Sequence, residues 1–181
     1  MIKFFLIVSS LLFGFCAKSQ IYLGKTCEIS FFSKGPIEDI SALNKNTVPL
    51  LNTSNNEVVF KVTIKGFEFK SKLMEEHFNE KYMESDTYPY AIFTGKINET
   101  IDYKKDSTYK ITVTGKFTMH GVEKERTVNA TAIIKDGEIS FESKFNVALK
   151  EHNITIPSLM TKKFAEVIEV TVKGILTEYK K

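Results

Sequence analysis

Apolar and polar residues alternate one by one through most of this chain, and that pattern constrains its fold more than any other feature. Successive side chains of a strand point to opposite faces, so a period of two means strands with one dry face and one wet face. "VVFKVTIKGF" shows it best: Phe60, Val62 and Ile64 share one face and Lys61, Thr63 and Lys65 the other. Gly66 interrupts the run before Phe67 and Phe69, as expected where a strand bends. The pattern returns in "YKITVTGKFTM", with Tyr109, Ile111, Val113, Phe117 and Met119 in register, and in "ISFESKFNVAL", with Ile139, Phe141, Phe145, Val147 and Leu149. The last run, "VIEVTVKGILTEY", sets Ile168, Val170, Val172 and Leu176 against Glu169, Thr171 and Lys173. "CEISFFSK", "AIFTGKI" and "RTVNATAIIK" are shorter candidates, and Asp136-Gly137 between two runs signals a tight hairpin.

One-sided strands do not belong in a parallel sheet buried on both faces. They predict a meandering antiparallel sheet of about seven or eight strands, closed into a barrel or stacked as a sandwich. One stretch departs from the pattern. "SKLMEEHFNEKYM" brings Leu73, Met74, His77, Phe78 and Tyr82 together at helical spacing, with Glu75, Glu76 and Glu80 on a solvated side. This predicts a helix of about three turns, capped by Ser71 and stopped by "SDTYP" through Pro89. Residues 36–56 are less periodic and read as an irregular connection with at most one helical turn or short strand.

The first residues, "MIKFFLIVSSLLFGFCAKSQ", place Lys3 before an apolar block of about a dozen residues, too short for a spanning helix, and then Ala17-Lys18-Ser19. That is the pattern of a cleaved signal peptide, residues 1–19, ahead of one domain over residues 20–181 and an expected periplasmic or secreted location. A lipoprotein signal ending at Cys16 is the rival, and Phe15 just before that cysteine fits it poorly. No later stretch is apolar and long enough for a transmembrane segment.

Loss of Lys3 and Lys18 leaves 23 basic residues against 22 acidic ones, a nearly neutral domain. Arg126 is the only arginine, which argues against a nucleic-acid surface, where the forked guanidinium is favoured. Cys27 then stands alone, without a disulfide partner, and in a strand-like run reads as a small buried apolar residue.

Catalytic and metal-binding patterns are sparse. His77, His120 and His152 stand apart in sequence, with no second His or Cys at metal-ligand spacing. His120-Gly121 falls where two runs must turn, and glycine supplies the positive φ of such turns. The neighbouring runs offer His120 no partner for general-base work, so it reads as a turn residue. No nucleophile elbow, phosphate loop or H-E-x-x-H occurs. The reading is a protein that is not an enzyme and holds no metal. What it has instead is apolar capacity: of fifteen phenylalanines, eleven lie beyond the signal. Inward faces of this kind either fill a core or enclose a cavity, and periodicity is compatible with both.

The words "LMEEHFNEKYMESDTYPYAIFTGKI", "YKITVTGKFTMHGVEKERTV" and "ISFESKFNVALKEHNITIPS" resemble the YceI-like family of exported bacterial lipid-binding domains. The resemblance runs from about Cys27 to the C-terminus. It implies an all-β, lipocalin-like antiparallel β-barrel of eight strands with one accessory helix, and an elongated pocket for a polyisoprenoid, a quinone or another long-chain lipid. Any phosphate-bearing head group is then expected to rest on lysines, backbone or hydroxyls, because arginine is scarce. Candidate ligand-binding residues are Phe60, Val62, Ile64, Phe93, Ile111, Val113, Phe117, Phe141, Phe145, Val147, Ile168, Val170 and Val172. The expected role is a carrier of a hydrophobic small molecule. The alternative is a cell-envelope structural or interaction module with a filled barrel core. Homodimer and monomer are both allowed.

Overall fold

A computed structural model describes residues 20–34, 39–155 and 166–180. The segment read above as a signal peptide lies outside these residues. Ten strands follow in order: β1 (Ile21–Ser33), β2 (Ile40–Asn44), β3 (Leu50–Asn52), β4 (Glu57–Thr63), β5 (Glu68–Phe69), β6 (Tyr90–Ile97), β7 (Ser107–Met119), β8 (Val122–Lys135), β9 (Glu138–Ala148) and β10 (Val167–Glu178). Every pairing is antiparallel. Eight of the strands form a closed ring in the order β1, β10, β9, β8, β7, β6, β4, β3 and back to β1. Of the two arrangements that alternation allows, the barrel is the one adopted, and closure leaves most strand edges paired.

The irregular connection expected over residues 36–56 instead contains β2 and β3. They occupy a single strand position, broken in the middle: β3 pairs with the start of β1 and β2 with its end. The neighbouring position is broken at the same level, where a 3₁₀ turn, Ile64–Gly66, separates β4 from β5. Short strands with Asn and Thr between them carry little periodicity, which is why alternation does not reveal them. The wholly buried Asn44 holds the break together. Its Nδ2 donates to Thr63 O at 2.9 Å, while Oδ1 accepts from Asn46 N at 2.9 Å. A Cβ on Gly66 would lie 2.7 Å from that Nδ2, so the turn has room only for glycine.

Two hairpins close opposite ends. His120 and Gly121 have φ of 51° and 71°, and Asp136 and Gly137 have 52° and 79°. Positive φ at both central residues is the type I′ turn, whose twist matches that of its flanking strands. The helix α1 (Lys72–His77) starts where Ser71 accepts from Met74 N, as its sequence predicts. It continues as a π-helical segment, Phe78–Tyr82. The helical run ends where expected, at Tyr82 with Met83 as its C-cap, but a different device stops it. Glu84 turns the chain at φ 44°, five residues ahead of Pro89, whose carbonyl instead accepts from Ile64 N. Glu75 is also less solvated than its helical spacing suggests, because its carboxylate accepts from Phe69 N at 3.3 Å and so ties α1 to β5.

Buried side chains form two clusters, one at each end of the barrel. Tyr22, Leu51, Ile97, Ile111, Ile134 and Leu176 belong to the lower cluster, and Ile29, Val62, Phe67, Met83 and Met119 to the upper, which lies under the helix. Cys27 packs in the upper cluster, and burial followed by the neighbouring Glu28 charge pushes its thiol up to about 11.

Candidate functional site

Between the two clusters the inward faces stay apart except where the rings of Phe60 and Phe141 touch. They enclose a cavity of about 540 Å³ that runs from Tyr103 and Ile139 at the lower end to Leu73 and Phe78 under the helix. Its wall is almost wholly apolar. That size falls within the range of small-molecule sites, and an apolar hollow with few polar groups is their usual form.

Alternation explains most of the wall. β4 contributes Phe60 and Val62, followed by Ile64; β6 contributes Phe93; β7 contributes Ile111, Val113 and Phe117. β9 adds Phe141 and Phe145, and β10 adds Ile168, Val170 and Val172. Phe60, Phe93 and Phe117 stand in direct cross-strand register on three adjacent strands. Val147 differs from the other candidates. It shares the inward parity of β9 but is enclosed by the upper core, and does not reach the cavity. The 3₁₀ turn Leu149–His152 follows it directly, with Leu149 in the same cluster and lining the cavity.

The helix supplies a side of the wall: Leu73, Met74, His77, Phe78 and Tyr82 all face the hollow. Leu73 is 59% exposed and yet lines the cavity, so the hollow meets solvent at this end. Phe78 stacks on Phe31, with centroids 5.5 Å apart, and also packs on Phe67 and Phe69. Phe31 and Phe69 are wall residues that period-two counting could have found, since each lies in a strand.

Polar groups on the wall are few and mostly engaged. Ser143 Oγ donates to Asn129 O at 2.7 Å, and Tyr103 donates its hydroxyl to Asn56 at 2.8 Å, with burial pushing that phenol up to about 12. Arg126 is the residue that sequence reasoning missed. It has the same inward parity on β8 as Val128, Ala130 and Ala132, and it lines the cavity. The expectation that only lysines, backbone or hydroxyls could meet a charged head group is therefore corrected: the sole arginine of the chain stands in the wall.

His120 lies outside the cavity wall. Its Nδ1 donates to His152 O at 3.0 Å, and Nε2 faces Glu84 Oε2 at 3.2 Å. Its partners come from remote segments, not from the runs that flank it. With both ring nitrogens engaged and the ring against Tyr88, it fastens three turns together. His152 supports the same hairpin from beneath, with Nδ1 donating to Met119 O at 3.3 Å and Val122 O at 3.2 Å. Among the described residues no group of three or more His, Cys, Asp or Glu side chains is placed to hold a metal ion, and no helix is long and apolar enough to cross a membrane.

Comparisons agree with this geometry. No curated protein sequence gives a significant match. Solved structures share the fold, among them the following three. The Burkholderia cenocepacia protein BcnA is 18% identical, with a TM-score of 0.70 over 82% of this chain and 95% of that one. A polyisoprenoid-binding domain from Saccharophagus degradans, implicated in plant cell wall breakdown, is 10% identical, with a TM-score of 0.75 over 90% of this chain and 100% of that domain. The Campylobacter jejuni YceI protein is 16% identical, with a TM-score of 0.56 over 75% and 81%. The model of the YceI-like domain matches residues 26–175, most of the barrel and its helix, and the chain therefore belongs to the YceI-like family.

Proposed function

We propose that this protein is a periplasmic carrier that holds a long-chain apolar ligand, such as a polyisoprenoid or a quinone, inside its barrel and performs no chemistry on it. The supporting observation is the hollow itself: about 540 Å³ of apolar space that the protein's own side chains leave unfilled. A filled-core module would not keep such a space, because unfilled apolar volume forfeits packing energy. The polyisoprenoid-binding domain from Saccharophagus degradans shares the fold and indicates the kind of ligand that such a hollow suits. Burial of a tail supplies roughly 0.8 kcal/mol per methylene, so eight to ten methylenes offset the ordering of a flexible chain. Export follows in this reading from the N-terminal segment, Lys3 and the apolar block after it. The turn role of His120, with both nitrogens held by structural partners, supports binding over catalysis.

The test is organic extraction of protein purified from its native envelope, followed by mass spectrometry. A stoichiometric long-chain species is the expected result. A clean extract, together with no rise in melting temperature on adding long-chain amphiphiles, would sink the proposal.

A further inference from the structure

We infer that the cavity selects an acid-headed amphiphile, with its carboxylate or phosphate oxygens held by Arg126 at the seam between β8 and β9. This deepens the carrier reading and rests on it. The seam is a physical feature of the barrel. Pairing of β8 with β9 runs only from Lys135 and Glu138 up to Ala130 and Ser143; above that level the two strands carry no ladder. Arg126 spans the opening. Its Nη1 donates to Asn146 O at 2.6 Å, while Nη2 reaches Glu151 Oε2 at a long 3.4 Å.

Four observations converge on this side chain. Among the described residues that line the cavity it is the only permanently charged one, in a wall otherwise built of hydrocarbon, hydroxyls and one imidazole. Its Nε is buried and has no hydrogen-bond partner, as is Nε2 of His152; Phe117 lies near both residues, at 5.8 Å and 5.1 Å. Phe117 and Phe145 flank the guanidinium at equal distances, so weakly polarising ring faces surround much of the charge. The counter-ion it does have is poorly placed: Glu151 is 50% exposed, against 16% for Arg126. A guanidinium presents a planar fork suited to paired oxyanion oxygens. A ligand carboxylate or phosphate arriving at the seam would replace the distant Glu151 oxygen at the fork, with its tail directed down the apolar hollow.

The experiment compares oleic acid, oleyl phosphate and oleyl alcohol, measured by calorimetric titration of the delipidated protein. Wild type is expected to bind an acid about 10- to 100-fold tighter than the alcohol, the range for hydrogen bonds to charged groups. The carboxylate and phosphate arms identify which oxyanion is preferred. Arg126→Met should erase the preference and retain the alcohol. Glu151→Gln, a change at a half-exposed site that leaves the fold intact even if Arg126→Met does not fold, should raise the acid-to-alcohol ratio by removing the competing carboxylate. Equal affinity of wild type for acid and alcohol, or an unchanged ratio in Glu151→Gln, would overturn the inference while leaving the carrier reading standing. Failure of wild type to bind any of the three would overturn both.

Discussion

Phe60 and Phe141 belong to opposite walls of the barrel, four strands apart in a ring of eight, yet their rings meet edge to face with centroids 5.8 Å apart. Both pack against the upper and the lower core cluster. The hollow therefore has a waist. Gly174 makes room for it, since a Cβ there would lie 2.9 Å from the Phe141 ring and 2.3 Å from Thr26 O.

A waist of two rings measures chain length. Binding of a homologous series of alkyl acids should strengthen with each added methylene until the tail meets Phe60 and Phe141, then level off. In Phe141→Ala the gain should continue to longer tails. The stability loss should fall below the ~3–5 kcal/mol of a close-packed Phe→Ala change, because the cavity already borders the ring. Calorimetry across the series checks this, and an identical plateau in both proteins would contradict it.

Asn44 is the hinge pin of the broken strand positions. Asn44→Ala should destabilise the protein by about 1–3 kcal/mol, since the Thr63 carbonyl and Asn46 amide lose their partner in a part-buried setting. Asn44→Asp is expected to be worse at neutral pH. It keeps an acceptor for Asn46 but turns a carboxylate oxygen, in place of the amide donor, towards Thr63 O in a wholly buried site. Chemical denaturation of the two variants gives the order, and a milder effect for Asp would refute the assigned amide orientation.

Much of this barrel was legible in the sequence because alternation is a local signal. Phe60, Val62, Ile111 and Val113 point inward for the same reason that their neighbours point outward. Local signals do not report what happens between strands. Nothing in the run around Val147 tells that the upper core encloses it, and nothing near His120 announces Glu84 or the His152 carbonyl. Arg126 was legible in part, since its parity is that of Val128; the unpaired seam that gives it a place in the wall depends on where β8 leaves β9. β2 and β3 escaped notice because each is too short to establish a period.

Charge in the wall separates positions by their surroundings. Val113→Asp puts a carboxylate opposite Ile97 and Val128, both apolar, and should abolish uptake of any long-chain ligand. Phe145→Asp puts one beside Arg126, whose guanidinium carbon lies 5.8 Å from the present ring, so the new charge is partly neutralised. It should cost less stability than Val113→Asp and weaken acid-headed ligands more than neutral ones. Melting temperatures and titrations with oleic acid and oleyl alcohol check both statements; a folded Val113→Asp that retains ligand would remove Val113 from the site.

The buried His152 gives the fold a pH dependence whose sign is fixed by its surroundings. Burial lowers its pKa, opposed by the hydrogen bonds to Val122 O and Met119 O and assisted by the nearby Arg126 charge. Its ordinary value is 6.5, so on acidification through that value the unfolded chain takes up a proton that the folded chain refuses. Stability then falls as pH falls below about 6.5, because the unfolded state binds more protons. The carboxylates of Glu28, Glu75 and Glu99, held below 4.5 by hydrogen bonds from Lys173, Lys72 and Thr112, begin to contribute only at lower pH. Between pH 7 and 5 the melting temperature should therefore decline in wild type, and the slope should flatten in His152→Gln, which can still donate to the two carbonyls but cannot titrate. If both proteins keep the same slope over that interval, the proton is taken up elsewhere and the neutral, carbonyl-bridging imidazole is wrongly assigned.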